Sequence, residues 1–365
     1  MQRNIIIGQS GGPTAVINSS LAGVFKTAKA RGAGKIYGMR YGIHGLLEHK
    51  YVDLSEHIRS DLDIDLLKRT PSASLGSCRY KLPEIKEDHK IYEQIFSLLQ
   101  KLEIEAFFYI GGNDSMDTIQ KLSDYGHLIG SDIRFMGVPK TIDNDLSCTD
   151  HTPGYGSAAK FIAATAKEII RDGLVYDIPS VTIMEIMGRN AGWLTGAAAL
   201  AKGEDCEGVD MIYLPEKVFD IDKFMQTVKE KSEQGRSMVI AISEGIKVED
   251  GITTADGKYV FELAESDSET SAGAVDAFGH KQLSGVGKFL ADLIAEKLAV
   301  KTRAIELNTL QRCAAYMTSR VDVTEAFQVG GAAVKAAFEG ESGKVAVLER
   351  ISEDPYLCIT GCEDV

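Results

Sequence analysis

The chain has 365 residues, 44% of them hydrophobic and 25% charged. That is long enough for two domains or one large one, and too apolar for extensive disorder. Its 53 acidic and 40 basic residues leave a net charge of −13, which argues against wrapping nucleic acid or adhering to an anionic membrane, since both need a basic surface. Phosphorylated small molecules stay open, because their sites concentrate a few cations locally. The six cysteines are scattered without a CxxC pair, against a disulfide framework or a closed zinc site. No apolar run approaches the roughly 18–20 residues of a membrane span, and a cytoplasmic location is expected.

The first strand-like run, residues 4–7, is too short for a signal peptide. Gly8-Gln9-Ser10-Gly11-Gly12-Pro13-Thr14 follows it and opens a helix expected over 15–31. Such glycines let backbone N–H groups approach an anion at a helix N-terminus. The spacing fits neither GxGxxG nor a Walker A loop, so a bare turn is the alternative. A second run, 106–110, leads to Gly111-Gly112-Asn113-Asp114-Ser115 and a helix expected over 115–122. Asp114 either caps that helix or, in a phosphate cradle, needs Mg²⁺ or another cation beside it.

A third run, 133–138, ends in Pro139-Lys140-Thr141-Ile142-Asp143-Asn144-Asp145. One cation, one hydroxyl and two carboxylates thus stand at a strand end. In an extended segment Thr141, Asp143 and Asp145 share one face, with Lys140 and Asn144 on the other; a loop would alter that. Phosphoryl transfer needs a base for the acceptor hydroxyl and cations for the migrating group, and this stretch offers both. A solvated polar turn is the competing reading.

Ser180–Ile186 is the next strand, followed by Met187-Gly188-Arg189-Asn190-Ala191-Gly192 and an Ala-rich helix through Ala201. Residues 237–242 form another, ending at Ser243-Glu244-Gly245. A polar stretch over 248–287 reads as surface elaboration, Val286–Leu298 as a helix, and 356–359 as strand-like. Runs this apolar suit parallel strands covered on both faces. Alternation with helices predicts two open α/β sheets, with ligands at the strands' carboxyl ends. Arg79, Arg189, Arg303 and Arg312 have small or apolar sequence neighbours. A partly buried arginine needs an anion, although each taken singly could be a structural ion pair.

Taken in order, Gly11-Gly12, the 111–115 turn, the 139–145 stretch, Met187-Gly188-Arg189, Ser243-Glu244-Gly245 and Thr302-Arg303-Ala304 through Gln311-Arg312 resemble the site motifs of the phosphofructokinase family along nearly the whole chain. The resemblance implies two Rossmann-like α/β domains with parallel-rich sheets and an active site in the interdomain cleft. It assigns residues 1–148 and 311–355 to a donor-binding domain, and 149–310 and 356–365 to a sugar-phosphate domain. It implies Mg²⁺-dependent phosphoryl transfer to the 1-hydroxyl of fructose 6-phosphate by a homodimer or homotetramer. Asp143 would be the base, with Lys140, Asp114 and Arg189 beside it in catalysis. Gly11, Gly12, Arg79, Gly112, Asn113 and Ser115 would hold the donor. Thr141, Ile142, Asp145, Met187, Gly188, Arg189, Glu244, Arg303, Thr309 and Arg312 would hold the sugar phosphate.

Asp114 and Lys140 address the donor. ATP-using members typically have glycine at both places, whereas pyrophosphate-using members have aspartate and lysine. A carboxylate there repels a nucleotide's inner phosphate, and the lysine adds positive charge near the transferred group. Gly192-Trp193 and Asp276-Ala277-Phe278-Gly279-His280 also look like the pyrophosphate-using members, which implies a readily reversible reaction. Three positions depart from the family pattern. Asn113 replaces the usual Mg²⁺-holding aspartate, Thr309 stands where histidine or tyrosine is frequent, and Ser180 where many members place an arginine that reaches a neighbouring subunit. Two other readings are an ATP-dependent enzyme that tolerates Asp114 and a non-catalytic sugar-phosphate-binding paralogue. Retention of Asp143, Arg189, Glu244 and Arg312 speaks against the second. Similar chains often run on beyond the equivalent of Val365, so a further C-terminal segment is expected.

Overall fold

The strand–glycine–helix rhythm folds as two units, Met1–Ser157 with Arg312–Val365, and Ala158–Gln311. The computed structural model describes residues 3–175, 177–248, 257–260, 262 and 285–365. In chain order the first unit contains β1 (Arg3–Gln9), α1 (Ile17–Ala30), β2 (Ala33–Met39), α2 (Gly42–Leu47), β3 (Tyr51–Asp53), α3 (Asp61–Arg69), α4 (His89–Lys101), β4 (Ile104–Gly111), α5 (Asn113–Leu128) and β5 (Arg134–Pro139). Helix α6 (Tyr155–Gly173) carries the chain into the second unit. There β6 (Ser180–Ile186), α7 (Trp193–Gly196), β7 (Met211–Tyr213), α8 (Ile221–Ser232), β8 (Met238–Ser243), α9 (Val286–Leu298) and β9 (Lys301–Glu306) follow. Helix α10 (Leu310–Cys313) returns it to the first unit, which ends with α11 (Arg320–Glu339), β10 (Lys344–Glu353) and β11 (Tyr356–Asp364).

The first sheet runs β11-β10-β5-β4-β1-β2-β3, parallel except for the antiparallel β2–β3 and β10–β11 pairs. Its strands are apolar on both faces because both are covered. Ile5, Ile7, Ala106, Phe108, Met136 and Val138 pack with α1, α3 and α11. Alternate residues, Ile6, Phe107, Tyr109 and Phe135, pack with α2, α4 and α5. This period of two is what a central parallel strand dictates, and each large side chain so buried contributes about 1.5–3 kcal/mol. Helices α1 and α11 meet through glycine: a Cβ on Gly23 would stand 2.0 Å from the Phe327 carbonyl oxygen.

The second sheet, β7-β8-β6-β9, is wholly parallel. Val181, Ile183, Ile240 and Ile242 form its core with Phe224 and Val228 of α8 and Leu290 and Ile294 of α9. No described helix is long and apolar enough to cross a membrane.

Several boundaries differ from expectation. Residues 356–365 belong to the first unit, not the second, because β11 pairs with β10 from Lys344↔Asp364 to Glu353↔Tyr356. The second unit begins at Ala158 rather than 149, since the Asp150 N–H bonds the Leu348 carbonyl at 2.9 Å and the Gly154 N–H bonds Asp322 at 2.8 Å, both within the first unit. Helix α5 outruns its expected 115–122 span because Ile119, Leu122 and Tyr125 continue its buried face. The Ala-rich helix to Ala201 is instead α7 and a 3-10 turn, Ala197–Ala201, with Gly196 at the junction. Most of the polar 248–287 stretch lies outside the described residues.

Candidate active site

In the first sheet the connection from β1 leads to one side and that from β4 to the other, so the carboxyl ends of these neighbours form a topological switch point. Gly11, Gly12 and the start of α5 lie there, joined by the loop after β5. Short backbone bonds stitch these ends together: Ser10 N–H to the Ile110 carbonyl at 2.9 Å, Lys140 N–H to the Gly111 carbonyl at 2.9 Å, and Gly11 N–H to the Cys78 carbonyl at 3.2 Å.

Lys140 is buried, and its Nζ donates to the Gly12 carbonyl at 2.6 Å. Burial lowers its pKa to about 8, opposed by Asp143 and Asp145 and reinforced by Arg312 and Arg79. Arg312 lies alongside, its Nη1 3.2 Å from where a Cβ on Gly12 would be. Its Nε is buried with no hydrogen-bond partner, a donor left for an anion to satisfy.

The 139–145 stretch is not extended. Thr141 forms an isolated parallel bridge with Gly154, and its Oγ1 accepts the Asp143 N–H at 3.1 Å. Asn144 turns through φ +56° and accepts the Thr152 N–H at 2.8 Å. The shared face of an extended Thr141, Asp143 and Asp145 is therefore replaced by a turn, in which Ile142 is buried, Thr141 and Asp143 are half-buried and Asp145 is exposed. Gly112, not Asp114, is the N-cap of α5. That puts Asn113, Asp114 and the buried Ser115 in the first helical turn, where the charge of Asp114 meets the positive end of the dipole.

Asn113 Nδ2 donates to Asp145 Oδ2 at 2.9 Å. Although Asp145 is exposed as a whole residue, the protein around its carboxyl partly desolvates it and pushes its pKa up, helped by Asp114 and against the pull of Asn113 and Lys140. Asp114 and Asp145, close enough for one to raise the other's pKa, offer hard carboxylate oxygens of the kind Mg²⁺ takes.

In the second unit the site residues follow β6 and β8. The Gly188 N–H reaches Glu244 Oε1 at 3.3 Å, and the Glu244 N–H bonds the Ile186 carbonyl at 2.9 Å. Ser243 Oγ donates to the Gly188 carbonyl and accepts the Gly245 N–H, the latter at 3.0 Å. A Cβ on Gly245 would stand 1.9 Å from the Arg189 carbonyl oxygen, so only glycine fits under that loop. The structure thus brings Met187, Gly188, Arg189 and Glu244 together. Glu185, two residues before the loop, accepts from Gly285 and Gly287 N–H at 3.2 and 2.7 Å, and burial pushes its pKa up to about 7.

Arg303 does not join them. It sits midway along the edge strand β9 opposite Thr182, exposed, with Nη1 3.2 Å from Asp172. Arg79 and Thr309 are also exposed. The inference from apolar sequence neighbours to partial burial therefore fails for Arg79 and Arg303: on an edge or loop, adjacent small residues do not cover a long side chain. Asp276–His280 as a motif, residues 276–280, lies outside the described residues. Sequence reasoning missed Gln311, whose buried amide accepts the Met187 N–H at 3.2 Å, and Glu216, which accepts the Gly192 N–H at 2.6 Å. Gln311 adjoins a quoted arginine and was legible; Glu216 had no local signal.

A two-unit α/β architecture with glycine turns at the strand ends and a buried lysine beside an arginine suits a phosphotransferase, and comparison with known proteins agrees. The family profile described as phosphofructokinase matches residues 4–337, and the chain belongs to the phosphofructokinase family. It is 40% identical over 355 residues to the pyrophosphate–fructose 6-phosphate 1-phosphotransferase of Xanthomonas campestris pv. campestris (strain B100), covering 97% of this chain and 81% of that one. The enzyme of the same name from Halomonas elongata is 38% identical over 359 residues, covering 97% and 82%. The crystal structure of a pyrophosphate-dependent phosphofructokinase from Nitrosospira multiformis matches with a TM-score of 0.84 at 35% identity, covering 99% of this chain and 83% of that one.

Proposed function

We propose that the chain reversibly transfers a phosphoryl group from pyrophosphate to the 1-hydroxyl of fructose 6-phosphate, giving fructose 1,6-bisphosphate and phosphate. The observation that carries the donor assignment is the pair formed by buried Lys140 on the Gly12 carbonyl and Asp114 in the first turn of α5. Asp114 puts negative charge where a nucleotide's inner phosphate would approach the helix N-terminus, so the shorter donor is favoured by exclusion.

Asp143 accepts the proton of the 1-hydroxyl as that oxygen attacks the transferred phosphorus, and the bond to the bridging oxygen of pyrophosphate breaks to release phosphate. Lys140 and Arg312 neutralise the migrating group, and the glycine-turn N–H groups orient the donor together with Arg79 and Ser115. Thr141, Ile142 and Asp145 shape the acceptor side of the loop. Met187, Gly188, Arg189 and Glu244 hold the sugar phosphate; Arg303 and Thr309 are assigned there on resemblance alone. Mg²⁺, when bound by Asp145 and Asp114, supplies charge neutralisation for the donor. The same reading makes the protein a cytoplasmic homodimer or homotetramer, which light scattering tests directly.

Purified protein with fructose 6-phosphate and Mg²⁺ should turn over with pyrophosphate and barely with ATP. The opposite preference establishes the ATP-dependent reading, and sugar-phosphate binding without turnover on either donor establishes the non-catalytic one. Asp114→Gly should admit ATP; loss of all activity with no ATP use counts against exclusion by that carboxylate.

A further inference from the structure

Helix α11 carries two buried carboxylates one turn apart, Asp322 and Glu325, neither of which the reaction uses. Asp322 accepts the Gly154 N–H at 2.8 Å, the Ser157 N–H at 2.9 Å and the Ser157 hydroxyl. Ser157 Oγ in turn accepts the Ser319 N–H at 3.1 Å. Glu325 faces His151 Nε2 at 2.8 Å and accepts from the Tyr356 hydroxyl at 2.6 Å, while His151 Nδ1 lies 2.8 Å from Asp150. Both carboxylates thus hold one segment, residues 151–157, more than 160 positions away in the chain.

A carboxylate that merely caps its own helix has no need of this burial. Ser319 already fills that role, its Oγ accepting the Asp322 N–H at 3.4 Å. The held segment backs the loop of the base at two points, the Thr141–Gly154 bridge and the bond from Thr152 N–H to Asn144. It also packs on the phosphate loop, since a Cβ on Gly154 would stand 2.8 Å from Thr14 Cγ2. Asn144 holds the left-handed conformation, φ +56°, that asparagine tolerates through local side-chain bonding, and here that side chain accepts the Thr152 N–H, which ties the turn beside Asp143 to the held segment.

We propose that Asp322 is a positioning residue for the reaction: through Gly154 and Ser157 it fixes the 151–157 segment, which fixes Thr141 and Asn144 and hence the orientation of Asp143, with Glu325 and His151 as a second tie on the same segment. The proposal rests on Asp143 as the base.

Asp322→Asn keeps the shape and one acceptor but aims an N–H₂ group at one of the two backbone N–H donors. In protein that remains folded by circular dichroism, kcat should fall about 10–100-fold while the KM for pyrophosphate and for fructose 6-phosphate each stay within about threefold. Asn144→Gly should lower kcat by itself, and the double variant should cost less than the product of the two. Unchanged kcat in folded Asp322→Asn, or fully multiplicative effects with Asn144→Gly, overturns the proposal. If Asp322→Asn does not fold, His151→Gln decides: a fall in kcat of about 3–10-fold at constant KM supports positioning, and wild-type kcat overturns it. Asp143→Asn, run in parallel, separates the two claims. Near-normal kcat there removes the base, whereas its loss beside an unaffected Asp322→Asn removes only the clamp.

Discussion

At the carboxyl ends of β4 and β5 the first unit crowds ionised groups: Lys140 with a depressed pKa, Asp145 with a raised one, and Arg312 with a buried Nε awaiting a partner. After β6 and β8 the second unit builds mainly with backbone, with Gly188 on Glu244, Ser243 on Gly188, and Gly245 pressed to the Arg189 carbonyl. A site made by burying charge responds to charge-changing substitutions and to pH; one made by close backbone packing responds to volume. The largest effect should follow from removing the base. Asp143→Asn should lower kcat by about 10²–10⁴, with both KM values little changed; near-normal kcat would remove Asp143 from the role of base.

The second unit should answer to a single methyl group. Gly245→Ala forces a Cβ to within 1.9 Å of the Arg189 carbonyl oxygen, so the 187–189 loop must move. The KM for fructose 6-phosphate should rise about 10–100-fold while that for pyrophosphate stays within about twofold, since the donor contacts lie elsewhere. A matching rise in both KM values would erase the division between charge-built and backbone-built sites.

The fold was largely legible because buried parallel strands announce themselves as apolar runs: residues 4–7 and 106–110 lie within β1 and β4, and Ser180–Ile186 is β6. The loop after β5 stood out by the mixture of Lys140, Thr141, Asp143 and Asp145 in so short a span. What was not legible is whatever depends on a distant partner. Asp322 and Glu325 sit in the opening turns of α11, where acidic residues ordinarily face solvent and favour the helix dipole; nothing local says that residues 151–157 cover them. Arg303 erred in the opposite direction, its small neighbours suggesting burial on a strand that proves to be an edge. Residues 356–365 were assigned to the sugar-phosphate domain by the resemblance, yet the backbone ladder to β10 decides where they belong.

The smallest effect is the one that separates the units by the sign of their response to pH. Lys140 holds its proton only to about pH 8 in the folded chain, against 10.5 ordinarily. Above that point the cation facing the donor is lost, and kcat/KM for pyrophosphate should fall about fivefold between pH 8 and 9. Stability moves the other way. Between about pH 8 and 10.5 the unfolded chain binds the proton that the folded chain has released, so the burial penalty on Lys140 is relieved and the melting temperature should gain from this group as pH rises. In the second unit Glu185, raised from 4.5 to about 7, keeps its proton in the folded chain after the unfolded chain has lost it. Its contribution is therefore full below about pH 4.5 and declines as pH rises towards 7. Lys140→Arg retains a charge at every accessible pH. In that variant both the alkaline loss of residual activity and the alkaline gain in stability should vanish, while the acid-side trend set by Glu185 persists; an alkaline limb that survives unchanged would move the titrating group off Lys140.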